Sequence, residues 1–132
     1  MIQINSIKKA IKSEPMVEIA YLFGSQALGG VGVDSDFDIG VYLNKSLNNS
    51  ERFKLRLDLM GKLSAELKTD KIDLVVINDL NSVFFKYIII KEGRILHQKS
   101  LLKRCELEGR IMAEYFDFRP FLEEYNRQFL MS

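Results

Sequence analysis

Three short apolar runs, separated by segments with helical periodicity, most constrain how this chain can fold. The runs at residues 17–23, 37–43 and 72–77 are rich in β-branched and aromatic residues, which favours strands. Before the third run, apolar residues recur every three or four positions, as expected for one face of an amphipathic helix: Phe53, Leu57, Met60, Leu63 and Leu67. Strands that alternate with helices predict an α/β (α+β) core with a small mixed β-sheet flanked by helices.

Helical spacing also predicts the elements around this core. Ile4, Ile7, Ala10 and Ile11 predict a first helix that ends before Pro15. After the third run we expect a helix through Leu80, Phe84, Tyr87 and Ile88 that ends at Gly93, a short strand at residues 94–97, and two helices at residues 101–116 and 121–130, the last beginning near Pro120. We therefore expect residues 1–98 to form the core and residues 99–132 a helical C-terminal extension of the same domain.

The C-terminal extension is rich in aromatic and other apolar residues: Phe116, Phe118, Phe121, Leu122, Tyr125 and Phe129. Two interpretations are open. These side chains either pack back onto the sheet or form part of a homo- or hetero-oligomeric interface, where aromatic residues are enriched.

Composition excludes several kinds of site. The 132 residues carry a formal net charge of +1, which gives no electrostatic basis for general nucleic-acid binding. A single cysteine, Cys105, and a single histidine, His97, exclude an intrachain disulfide, a four-thiolate zinc site and a histidine-pair metal site. We expect Cys105 to be buried in a helix and His97 to lie at a surface or sheet edge. No apolar run approaches the roughly 18 residues that span a bilayer, so we expect a cytoplasmic protein.

Two aspartates, Asp36 and Asp38, stand at the start of the second predicted strand. Residues two apart in a strand point to the same face, so the two carboxylates lie side by side and repel each other unless a cation binds. Carboxylate oxygens suit Mg²⁺. An Asp-x-Asp also occurs at solvated strand ends, but here the strand continues into an apolar run.

Two further features fit an Mg²⁺-phosphate site. Gly24-Ser25 follows the first strand, where a glycine allows close approach of the backbone and the start of a helix can bind a phosphate, although the same dipeptide also occurs in a plain turn. Asp73 lies inside the apolar third strand, where an acid is costly unless it is paired, solvated or bound to metal. The alternative is an exposed acid at the sheet edge. Three carboxylates beside a phosphate site suggest two-metal phosphoryl chemistry.

The spacing resembles the Gly-Ser-x10-Asp-x-Asp signature of the polymerase-β-like nucleotidyltransferase superfamily. Gly24-Ser25 precedes Asp36-Phe37-Asp38 by ten residues, and Asp73 lies where that superfamily keeps its third carboxylate. The short length resembles the minimal nucleotidyltransferase (MNT) group. The resemblance implies a nucleotidyltransferase fold in which Gly24 and Ser25 bind the phosphates of ATP. It also implies that Asp36, Asp38 and Asp73 are catalytic and bind two Mg²⁺ ions.

The resemblance also implies a partner. Many MNT proteins act as antitoxins of a HEPN ribonuclease toxin encoded nearby, and some transfer AMP from ATP to a tyrosine of that toxin. One departure concerns Gln26 and Leu28, because members of the group often carry arginines there that suit phosphate binding. Lys45 or Lys71 could substitute, or nucleotide binding is weak.

Three functions follow. The first is AMP transfer to the toxin. The second is a non-catalytic antitoxin that neutralises the toxin by binding it. The third is a small-molecule transferase of the aminoglycoside-modifying type, which the short chain disfavours because little remains to build a substrate pocket.

Overall fold

A computed structural model describes residues 2–24 and 37–130. Within them the chain forms one four-stranded mixed sheet covered by helices on both faces. The strands are β1 (Val17–Phe23), β2 (Phe37–Leu43), β3 (Ile72–Val76) and β4 (Arg94–Gln98). The helices are α1 (Ile2–Lys12), α2 (Asn49–Leu67), α3 (Val83–Glu92) and α4 (Leu101–Leu130), with a 3₁₀ turn at Ile77–Asp79. The predicted mixed sheet with a helical C-terminal tail is confirmed.

The order of strands across the sheet is β3-β2-β1-β4. β1 pairs antiparallel with β2 and β4, whereas β2 and β3 are parallel. A parallel pair needs a long crossover, which α2 supplies. As a result β1 ends at the same end of the sheet where β2 and β3 begin. We call this the aspartate end, because Asp38 and Asp73 lie there, and the opposite end the far end.

The sheet buries two apolar layers. α1 and α2 cover one face, where Ile11 and Leu63 pack against strand residues such as Ile39. α3 and α4 cover the other, where Ile89, Leu107 and Ile111 pack with Ile19, Tyr21 and Phe23. Among the described residues no helix is both long enough and apolar enough to cross a membrane.

Helix α2 begins where the sequence predicted but buries a different face. Asn48 caps it, with the Glu51 backbone N–H donating to the Asn48 side chain at 2.8 Å. Phe53 and Leu57 are 60% and 49% exposed, so their predicted burial is wrong. The core side of α2 is instead a row of leucines four residues apart: Leu55, Leu59, Leu63 and Leu67, with Met60 beside them. The predicted set mixed two neighbouring rows that the sequence alone does not separate.

The helices after β3 also differ from expectation. α3 begins at Val83, beyond Leu80, and ends with Gly93 as its C-cap. The two predicted C-terminal helices are one, since α4 continues through Pro120. A proline removes one helical hydrogen bond and favours a kink without necessarily ending the helix.

Helix α4 leaves most of its surface exposed. Among its described side chains the buried ones are Leu107 and Ile111. Cys105 is exposed, so the predicted burial of that cysteine is wrong. Of the two interpretations of the tail, packing back onto the sheet does not hold for four aromatic residues that are 41–72% exposed: Phe116, Phe118, Phe121 and Tyr125. The side chains of Leu122 and Phe129 lie outside the described part of the structure. His97 is half-buried on the edge strand β4, as expected.

A buried tyrosine attaches α4 to the sheet. Tyr21 is fully buried on β1, and its hydroxyl donates to Glu108 Oε2 at 2.6 Å. The same carboxylate oxygen accepts from Arg104 Nε at 3.0 Å. Burial and the bond to Glu108 raise the pKa of Tyr21 far above its usual range, so the hydroxyl stays protonated and keeps donating.

Removing the Tyr21 hydroxyl should weaken the attachment of α4 to the sheet. We expect Tyr21→Phe to lower the free energy of unfolding by about 1–3 kcal/mol, because a hydrogen bond to a charged group is lost. Chemical denaturation measures the change. Tyr42→Phe is the matched control, since the Tyr42 hydroxyl makes no hydrogen bond among the described residues. Equal losses in the two variants would contradict the role of the Glu108 contact.

Candidate active site

Two carboxylates come together at the aspartate end. Asp38 is the second residue of β2 and Asp73 the second residue of β3, and the two are direct register partners in the parallel pair. Partners on neighbouring strands lie about 4.8 Å apart in the backbone and project to the same face. The neighbouring partners Phe37 and Ile72 point into the core beneath α1 and α2, so both aspartates point to the opposite face. The second and third strands are therefore neighbours in the sheet, as a site shared by Asp38 and Asp73 requires.

The two aspartates differ in exposure. Asp38 is half-buried on an inner strand, whereas Asp73 is exposed on β3 at the edge of the sheet. Exposure explains how an acid is tolerated inside an otherwise apolar strand. It also leaves the Asp73 carboxylate accessible to a ligand that approaches this end of the sheet.

Gly24 lies against the Asp38 carboxylate. It follows Phe23, the register partner of Asp38, and has a φ of 76°, a conformation that glycine adopts readily and that side chains disfavour. A Cβ built on Gly24 would overlap the Asp38 carboxylate. Because Gly24 has no side chain, the Asp38 carboxylate can occupy the space beside it.

Ser25 and Asp36, the other two residues predicted for the site, lie outside the described residues, as do Gln26 and Leu28. Among the residues that the structure describes, no group of three histidines, cysteines or carboxylates forms a metal cluster. The donors present at the aspartate end are carboxylate oxygens, a hard donor set that fits Mg²⁺ and does not favour zinc.

The two lysines considered as substitutes for the family's arginines lie at opposite ends of the sheet. Lys45 follows the C-terminal end of β2, at the far end, so it is not placed to hold a phosphate near Asp38. Lys71 directly precedes β3, and its carbonyl accepts a hydrogen bond from the Phe37 N–H at 2.9 Å. Of the two, only Lys71 lies at the aspartate end.

The sequence matches a family model. The model described as Polymerase beta, Nucleotidyltransferase covers residues 5–101, a span that contains Gly24, Asp38 and Asp73. A search of the curated proteins found no match.

Solved structures share the fold over nearly the whole chain. A chain of a toxin-antitoxin crystal structure with AMP-PNP has a TM-score of 0.72 and 23% identity, covering 92% of this chain and 97% of that one. A complex of a tri-AMPylated Shewanella oneidensis HEPN toxin with its MNT antitoxin gives 0.67 and 21%, covering 94% and 96%. A MntA-HepT toxin-antitoxin structure gives 0.67 and 22%, covering 94% and 97%. At these identities the likeness establishes the fold.

Proposed function

Because this chain belongs to the Polymerase beta nucleotidyltransferase family, we propose that it transfers AMP from Mg-ATP to a hydroxyl, a tyrosine of a partner HEPN toxin, and acts as the antitoxin of that toxin. The observation that carries the proposal is the register pairing of Asp38 with Asp73, with Gly24 against the Asp38 carboxylate. This arrangement presents two carboxylates and a closely approachable backbone to one ligand.

Each residue then has a role. Asp36, Asp38 and Asp73 would hold Mg²⁺, proposed as two ions, which would supply charge stabilisation for phosphoryl transfer when bound. The backbone at Gly24 and Ser25 would hold the phosphates of ATP. The acceptor oxygen bonds to the α-phosphorus while the bond to the β-phosphate oxygen breaks and pyrophosphate leaves. Asp73, which is more exposed than Asp38, would accept the hydroxyl proton.

The structural neighbours support the choice of partner. They include a toxin-antitoxin complex with an ATP analogue and one whose HEPN toxin carries AMP groups. The likeness extends over more than nine-tenths of this chain and of each neighbour. The exposed aromatic residues of α4, Phe116 to Tyr125, offer the kind of surface found at the centre of protein interfaces.

The test is incubation of the purified chain with labelled ATP, Mg²⁺ and the HEPN protein encoded beside it, followed by mass spectrometry of both proteins. We expect the HEPN protein to gain mass in steps of one AMP on tyrosine. If the HEPN protein gains no mass although ATP is present and the two proteins form a stable complex, the proposed transfer reaction is overturned.

That last outcome would favour the second candidate, an antitoxin that acts by binding alone. The observation behind it is the absence of arginines at Gln26 and Leu28, together with the position of Lys45 far from the aspartates. A ribonuclease assay of the mixture without ATP distinguishes the two, because a binding antitoxin blocks the ribonuclease without nucleotide whereas AMP transfer requires ATP.

A further inference from the structure

A second candidate site lies at the far end of the sheet. Two adjoining hollows, each about 310 Å³, open at the C-terminal end of β2. One lies between the end of β3 and helices α3 and α4, and the other between α4 and the start of β1. Both are lined by Tyr42, Lys45 and Arg110. We call the two together the far-end cleft. Its volume falls in the range of small-molecule sites in proteins.

Five basic residues and three acids line the far-end cleft, which therefore has an excess of positive charge. Two of the acids, Glu18 and Glu106, line the hollow beside the start of β1, where Lys103 lies 3.7 Å from Glu18. The other hollow is lined by four basic residues, Lys45, Arg52, Lys86 and Arg110, and by a single acid, Glu114. Arg52 is neutralised by Asp79 at 2.7 Å and Lys86 by Glu114 at 3.3 Å.

Lys45 and Arg110 differ from those two bases. Neither makes an ion pair with an acid within the part of the chain that the structure describes, and both border both hollows. Two cations left without partners at the mouth of one cleft favour an anionic ligand.

The floor of the far-end cleft is rigid and partly apolar. The half-buried Tyr42 lines both hollows, and Leu107 and Ile111 form one wall. Asn78 fixes the end of β2, because its side chain accepts from the Leu43 N–H at 2.8 Å and donates to the Leu43 carbonyl at 3.0 Å. A ligand with an anionic group and an apolar or aromatic part fits such a lining.

The far-end cleft is separate from the aspartate end. Asp38 and Tyr42 project to the same face of β2, four residues and about 13 Å apart. Between them Gly40 is covered by Ile89 and Ile77, whose side chains would lie 3.3 and 3.6 Å from a Cβ at that position. These two isoleucines block a direct path along the strand.

We propose that the far-end cleft binds a small phosphorylated ligand, with its phosphate held between Lys45 and Arg110. Arginine and lysine both form charge-assisted hydrogen bonds with phosphate oxygens. The inference does not depend on AMP transfer, since it concerns different residues at the other end of β2.

The test is calorimetric titration of the purified chain with inorganic pyrophosphate in metal-free buffer. We expect the Lys45→Glu/Arg110→Glu variant to bind about a hundredfold more weakly, since each lost charge-assisted contact corresponds to about tenfold in affinity.

Lys8→Glu/Lys54→Glu is the matched control, because it makes the same change of charge at exposed positions outside the cleft. Equal weakening in both double variants, or no binding by the wild type, would overturn the proposal. Circular dichroism checks the fold. If the glutamate variant unfolds, Lys45→Gln/Arg110→Gln gives the same comparison, and unchanged binding in it also overturns the proposal.

Discussion

Replacing Asp36 and Asp38 together by asparagine is expected to reduce AMP transfer by at least about a thousandfold while the domain stays folded. Asparagine keeps the shape of aspartate but removes the charge that holds Mg²⁺. The substitution also removes repulsion between neighbouring carboxylates, so the free energy of unfolding should stay the same or rise slightly. Mass spectrometry of the partner protein and thermal unfolding of the variant measure the two effects.

The double variant Asp58→Asn/Glu66→Gln is the control for that experiment. Both residues are exposed acids on α2, which covers the sheet face opposite to the one to which Asp38 and Asp73 point, and the variant removes the same charge. Its transfer activity should match that of the wild type. Retained transfer in the Asp36/Asp38 variant would remove the two-metal proposal, and lost transfer in the control would show that net charge alone matters.

Gly24→Ala should damage the site more than the fold. The added Cβ overlaps the Asp38 carboxylate, and the φ of 76° disfavours any side chain, at about 1–2 kcal/mol. Displacing a catalytic group by about 1 Å can reduce a rate about a hundredfold. We therefore expect a large loss of AMP transfer with a modest fall in stability, measured by initial rates and by denaturation.

Gly61→Ala is the matched control for the glycine substitution. Gly61 lies within α2 with no neighbouring heavy atom within 4 Å of an added Cβ. Alanine there should raise stability by up to about 1 kcal/mol and leave transfer unchanged. A Gly24→Ala variant with full activity would show that Asp38 does not need the space beside Gly24.

The strands of the core were predictable because their patterns are local. Val17–Phe23 and Phe37–Leu43 are predicted with the bounds that the structure has, since each is a run with a single acid among apolar residues and glycine, between polar or glycine-containing segments. Asp73 could be placed on the third strand from sequence. Its alignment with Asp38 could not, because register depends on how the crossover α2 returns the chain to the sheet.

What the sequence left undetermined depends on contacts between distant segments. The buried row of α2 could not be chosen because leucines occupy two neighbouring rows. The far-end cleft was missed for a similar reason: Lys45, Lys86 and Arg110 belong to three separate parts of the chain, and no short motif brings them together. Of these residues, only Lys45 was considered from sequence as a phosphate-binding base. It lies at the far end of the sheet, opposite to the Gly24-Ser25 phosphate site.

The length of α4 determines how far the helix can extend along a partner. After Tyr115 stacks on Tyr87 with ring centroids 3.8 Å apart, residues 117–130 continue as helix for about 20 Å. A partner gripped along this arm would remain tethered during repeated rounds of chemistry, so that each new acceptor side chain arrives at a high effective concentration. Under the proposed transfer reaction, the arm would allow several successive modifications of the same partner molecule within one binding event.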